Sequence, residues 1–82
     1  MNTLPVIDLI ATGQNIAKKR ERAGYSVRQL QQILGFSTPQ AIYKWQRGES
    51  MPSIDNLAAL AVVLNTKLDD IIIFKTEGGH RK

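Results

Sequence analysis

The sequence predicts an all-α fold, and three observations carry that expectation. Apolar residues recur at helical spacing through most of the chain, no stretch sustains the period-two alternation of a half-buried strand, and glycines stand where helices would have to stop. With 82 residues the chain has room for one modest core. A single domain is assigned to residues 1–74, with its core within residues 13–72, followed by a flexible basic tail over 75–82.

The first helix is expected from Asp8 to Ala23, closing at Gly24. Its second half, KKRER, is charged on most sides and suits a helix only partly buried. Ser26 is a good N-cap, and Gln29 three residues on completes a capping box, in which two otherwise orphaned N–H groups are satisfied reciprocally. Val27, Leu30, Ile33 and Leu34 then share one face, and Gly35 is the expected stop.

The next stretch, GFSTPQAIYKWQRGE, begins a third helix. Pro39 fixes φ, lacks an N–H and forces the residue before it out of the α region, so Thr38 is the predicted N-cap and Pro39 the first helical residue. The helix should reach Gln46 or Arg47 and close at Gly48. At about 100° per residue, Ala41, Ile42 and Trp45 gather on one side and Gln40, Tyr43, Lys44 and Arg47 on the other. The first group must pack; the second is a stripe with an amide, a phenol and two cations.

Ser53 opens a fourth helix that buries Leu57, Leu60, Ala61 and Leu64, and Asn65 can close it in the left-handed region. Thr66 and Asp69 suggest a short fifth helix carrying Leu68, Ile71 and Ile72 inward. The run IIIF is alternatively extended, since its residue types favour strands.

Composition excludes several functions. The chain has no cysteine, so disulfides and thiolate metal sites are out of reach, and its one histidine, His80, stands beside Arg81 and Lys82 as a solvated residue rather than a ligand. No Ser/His/Asp or Cys/His set, glycine-rich phosphate loop or metal-ligand spacing is present, so the chain is not expected to be an enzyme or to carry a cofactor. Apolar runs such as Leu57 to Leu64 are far shorter than the roughly 20 residues of a membrane span, and the N-terminus lacks a basic n-region. An intracellular, cytoplasmic protein with no membrane and no small-molecule ligand is expected, nucleoid-associated if prokaryotic.

The net charge of +4 is unevenly distributed. Residues 16–50 hold seven Lys/Arg against Glu21 and Glu49, whereas residues 51–72 hold Lys67 against Asp55, Asp69 and Asp70. A basic middle segment favours a polyanionic partner.

Two short helices meeting at a glycine describe a helix-turn-helix unit. Leu30, Leu34, Gly35, Phe36, Ile42 and Trp45, followed by RG and by Pro52, resemble the phage repressor and Cro type of helix-turn-helix family, also called the xenobiotic-response-element type. The match runs from about Gly13 to Ile72. The resemblance implies a compact five-helix, repressor-like domain that binds double-stranded DNA with its third helix in the major groove.

By position, the resemblance places Gln40, Ala41, Tyr43 and Lys44 at base edges and Ser37 and Thr38 at the helix entrance. Arg28, Gln29, Arg47 and the loop near Ser50 would meet phosphate. Ile42, Trp45 and Phe36 match core positions.

Three positions depart from the family pattern. Gly35 to Gly48 is one residue longer than the commonest spacing, Gln31 stands where a small residue is usual, and Gln46 replaces the glutamate that commonly pairs with a first-helix arginine, here Arg20. That leaves a neutral hydrogen bond to Arg20, unless Glu49 takes over.

The residues also argue for DNA directly. Gln can bond adenine's N7 and N6 together, and Lys or Arg suits guanine. A transcriptional repressor is the expected role; the alternatives are a protein-binding adaptor or an antitoxin-type module on the same fold. Leu68, Ile71, Ile72, Ile73 and Phe74 exceed what a short final helix can bury, so a weak homodimer through this C-terminal segment is also expected.

Overall fold

Side-chain caps set most of the helix boundaries. In the computed structural model, which describes residues 4–76, the Asp8 carboxylate accepts the Ala11 N–H at 3.0 Å and opens α1 (Leu9–Arg22). Lys19, Arg20 and Arg22 fill the last turn of α1, where cations complement the helix dipole. The Ser26 hydroxyl accepts the Gln29 N–H at 3.0 Å while the Gln29 side-chain oxygen accepts the Ser26 N–H at 2.8 Å, giving the expected capping box on α2 (Val27–Leu34). Gly35 ends α2 in the left-handed region at φ 75°. Ser53 caps α4 (Ile54–Val63) through the Asn56 N–H, and Asn65 closes it at φ 54°.

The third helix begins one residue later than the sequence predicts. The carbonyl of Pro39 accepts the Tyr43 N–H at 3.1 Å, so Pro39 is the N-cap and α3 spans Gln40–Gln46. Thr38 lies before the cap, and its hydroxyl accepts the Gln40 N–H at 3.4 Å.

A short α5 (Leu68–Ile71) follows, and the chain then becomes extended. The five expected helices are all present, and of the two readings of IIIF the extended one holds at its end, where Phe74 enters a short strand. A β1 strand (Pro5–Ile7) pairs antiparallel with β2 (Phe74–Thr76), Ile7 opposite Phe74 and Pro5 opposite Thr76. Lys75 and Thr76 therefore belong to a ribbon rather than to a tail. Residues 77–82, including His80, Arg81 and Lys82, lie outside the described residues.

Polar groups on α1 draw the C-terminal segment in. Ile73 donates its N–H to the buried Thr12 hydroxyl at 2.9 Å, and its carbonyl accepts the Asp8 N–H at 2.8 Å. The Asn15 amide donates to the carbonyls of Asp70 and Ile71 at 2.6 and 2.9 Å, closing α5. This changes the accounting behind the expected dimer segment. Ile71 is fully buried, Leu68 and Ile72 pack against the core, Ile73 is half-buried, and only Phe74 stays exposed.

The core consists of Ile16, Leu30, Ile42, Trp45, Leu57, Leu60, Leu64 and Ile71, so every helix contributes or abuts it. The Phe36 ring packs edge-on against Trp45, with centroids 5.8 Å apart. Ile33 departs from expectation and is half exposed. Where α1 crosses the end of α3 the backbones touch: a Cβ added at Gly13 would lie 2.1 Å from the Trp45 carbonyl oxygen.

Candidate nucleic-acid interface

With its apolar side anchored by Ile42 and Trp45, α3 turns Gln40, Tyr43, Lys44 and Arg47 outward, and these four line one shallow depression. The helical spacing alone dictates that they share a face. Ala41 does not join them. It is half-buried and packs against the core, so its methyl belongs to the opposite side of α3.

The remaining sequence-derived candidates surround this stripe in the chain. Arg28 and Gln29 are exposed in the first turn of α2, although the Gln29 carbonyl oxygen is committed to the capping box and leaves only its amide NH₂ free to donate. Ser37 and Thr38 are exposed in the turn leading to α3, and Ser50 is half-buried in the loop after it.

One side-chain contact holds α3 from behind and two more brace the turns on either side of α2. Arg20, whose side chain is only 12% exposed, donates from Nε to the Gln46 side-chain oxygen at 3.0 Å and from Nη1 to the Tyr25 carbonyl at 2.7 Å. The end of α3 is thereby tied to α1 and to the turn before α2 through the neutral bond that Gln46 permits. Gln31, at the position where the family pattern has a small residue, reaches across the turn and donates to the Phe36 carbonyl at 3.2 Å. Its length thus supports the turn between α2 and α3.

Glu49 does not take over the Arg20 pairing, the alternative that the sequence left open. Instead of joining Arg20, its carboxylate accepts from Arg47 Nε and, at 3.3 Å, from Arg47 Nη2. The hydrogen bond from Arg47 holds the Glu49 carboxyl below its ordinary pKa. Gly48 makes the pairing possible: its left-handed φ of 75° turns the chain back, and the Glu49 N–H donates to the Lys44 carbonyl at 2.9 Å. The signal was the Arg-Gly-Glu sequence itself, but only the turn geometry selects the partner.

Among the described residues no cluster of His, Cys, Asp or Glu could hold a metal, and no helix is long and apolar enough to cross a membrane. The outward face of α3 and the start of α2 offer amide, hydroxyl and cationic donors, which suits base edges and phosphates.

Comparison with known proteins agrees with this chemistry. A family model described as helix-turn-helix matches residues 16–71. No curated protein sequence gives a significant match. Among solved structures, the restriction-modification controller protein C.AhdI from Aeromonas hydrophila is similar at a TM-score of 0.70 and 25% identity, covering 78% of this chain and 96% of its own. The DNA-binding domain of BldD is similar in fold at a TM-score of 0.68 and 15% identity, covering 79% of this chain and 93% of its own. With the family match spanning most of the chain, the protein belongs to the Cro-like helix-turn-helix family of DNA-binding transcription regulators, and is not an enzyme.

Proposed function

We propose that the chain is a sequence-specific repressor that reads duplex DNA with α3 in the major groove. The single observation that carries this is the exposed stripe of Gln40, Tyr43, Lys44 and Arg47 on a helix fixed from behind by Arg20, Gln46 and the core. Arg28 and Arg47 supply phosphate contacts, Gln29, Ser37, Thr38 and Ser50 add polar contacts at the edges, and Gln40 and Lys44 read bases. C.AhdI is a controller protein, and a controlling role exerted by occupying an operator is part of this reading. So is an intracellular location. One such module has a footprint of roughly 600–1,000 Å², so two copies on half-sites about one helical turn apart would bind more firmly than one.

The test is a polarisation titration against genomic fragments, with a random duplex as control, over a series of salt concentrations. Affinity is expected to fall steeply with salt, each neutralised phosphate adding about −0.9 to the log-log slope. Undetectable binding to every duplex at low salt and micromolar protein would replace this reading with the adaptor. A reporter gene whose expression rises with operator occupancy would retain DNA binding and overturn repression.

Substitutions separate the roles. Gln40→Ala and Lys44→Ala change exposed side chains and should alter stability by less than about 0.5 kcal/mol, yet both weaken binding to the selected site. Loss of Gln40 relaxes preference at one position, whereas Arg28→Ala weakens all sequences together and flattens the salt slope by about one unit. Equal loss of cognate and random binding in Gln40→Ala would remove it from base readout.

Glu49→Gln is expected to act in the opposite direction. It removes a carboxylate from the proposed interface and frees Arg47, so binding to random duplex should tighten by up to about eightfold at 0.1 M salt, with a slope steeper by about 0.9. The same titration checks this. Unchanged random-duplex affinity would show that Arg47 lies outside the DNA footprint.

A further inference from the structure

Away from the outward face of α3, the ends of α1 and α4 converge on a depression of about 450 Å³, lined by Lys19, Arg22, Tyr25, Val63, Asn65 and Thr66. That volume lies within the range of small-ligand sites. Lys19 is half-buried and Arg22 exposed, and among the described residues neither makes an ion pair. No carboxylate lines the depression. The two helix ends together contribute roughly one negative charge against two full cations, so the site stays positive.

Neither cation takes part in the proposed DNA contacts. At about 100° per residue, Arg22 falls half a turn around α1 from Gly13, the residue through which α1 meets the end of α3. Lys19 and Arg22 therefore stand off the side of α1 that supports α3. Lys18 is exposed on the same helix but lies outside the depression.

We infer that this depression binds a small aromatic anion, its phosphate or carboxylate head between Lys19 and Arg22 and its ring against Tyr25 and Val63. Asn65 and Thr66 offer an amide and a hydroxyl to polar groups at the ring's edge. A bare inorganic anion would leave the apolar surface uncovered, and a neutral ring would leave the cations unpaired. No small-molecule ligand was expected from the sequence, in which the two halves of the site lie far apart.

The site also touches the support of α3. The Tyr25 carbonyl accepts Arg20 Nη1 at 2.7 Å, and the same guanidinium holds Gln46 through Nε at 3.0 Å. An occupant that shifts Tyr25 loosens Arg20 and with it the end of α3, and a ligand that favours the loosened form opposes duplex binding. This consequence rests on the DNA-binding reading; the site itself does not.

Amide NMR spectra of the full chain, titrated with phenyl phosphate, benzoate, inorganic phosphate and benzyl alcohol at constant ionic strength, test the site. Phenyl phosphate is expected to shift the Tyr25, Asn65 and Thr66 amides saturably, with a dissociation constant on the order of millimolar, the strength open to so small a molecule. Benzoate should bind more weakly, inorganic phosphate at least about fivefold more weakly for want of the ring, and benzyl alcohol not measurably. Lys19→Gln and Arg22→Gln should each weaken phenyl phosphate about two- to fivefold, whereas Lys18→Gln, which removes the same charge outside the depression, should not. In the polarisation titration, saturating phenyl phosphate should weaken binding of the selected duplex about fivefold.

Inorganic phosphate binding as tightly as phenyl phosphate, or Lys18→Gln matching Arg22→Gln, would reduce the site to scattered surface charge and overturn it. A random-duplex salt slope that Arg22→Gln flattens by about one unit would give this cation to DNA phosphate and likewise overturn the site. Benzoate binding more tightly than phenyl phosphate would support the site and make its head group a carboxylate. Saturable amide shifts with duplex affinity unchanged would overturn the link through Arg20, whereas the same shifts in a chain that binds no duplex would refute the DNA reading and leave the site standing.

Discussion

Trp45→Ala is expected to cost about 3–5 kcal/mol of stability, a large part of the roughly 5–15 kcal/mol margin of a natural domain. Trp45 is 4% exposed, meets the edge of Phe36, and is the larger of the two side chains that hold α3 to the core. Its removal strips the apolar side of a seven-residue helix that is too short to persist alone. DNA binding should therefore disappear together with the fold, in contrast to Gln40→Ala and Lys44→Ala. Urea and thermal melts of the variants measure the difference. A melting temperature within a few degrees of the parent would place Trp45 outside the core.

The second large effect is expected from Gly13→Ala, where the sign is the informative part. In the middle of an exposed helix this change would stabilise by about 1 kcal/mol, because alanine is the better helix former. In α1 the new methyl would stand 2.1 Å from the Trp45 carbonyl oxygen and 2.9 Å from that of Gln46. Both obstacles are backbone, so no rotamer change relieves the clash, and α1 must lift away from the end of α3. Overpacking of this kind costs about 1–3 kcal/mol and sometimes more, enough to exceed the propensity gain. The shift would also stretch the Arg20–Gln46 bond that orients α3. A denaturant melt showing Gly13→Ala more stable than the parent would refute this close approach.

The helices were legible in the sequence because their ends are written locally. Ser26 with Gln29, Ser53, Asp8 and the left-handed Gly35 and Asn65 each act within about one turn of themselves, so one residue suffices to place one boundary. Pro39 misled by a single position, since its fixed φ suits both an N-cap and a first helical residue. The ribbon was legible only in IIIF, whose residue types favour an extended path, and its pairing was illegible for the opposite reason. Each strand has three residues, too few for a period to show, and Pro5 finds Thr76 at the far end of the chain. The same non-local pull by Thr12 and Asn15 buried the isoleucines that looked free for a dimer.

The face of α3 could be read from 3.6-residue geometry, which is why Gln40, Tyr43, Lys44 and Arg47 emerge together. The partner of Glu49 could not, because Arg20 and Arg47 were both chemically suitable and only the turn at Gly48 chose between them. Gln31 shows a similar limit: residue type signals a departure from the family pattern, whereas the carbonyl it reaches depends on the path of the turn.

The bonds from α1 to the end of the chain also bear on how the domain is born. The Asn15 amide and Thr12 hydroxyl wait for carbonyls 55 to 61 residues downstream. At about 5–20 residues per second, several seconds of translation separate the emergence of α1 from that of its last partners. During that interval α1 can already meet α2 and α3, but the ribbon, Ile71 and the closure of α5 must come last. A nascent chain stalled before Asp70 would thus hold α3 without the clasp that completes the domain.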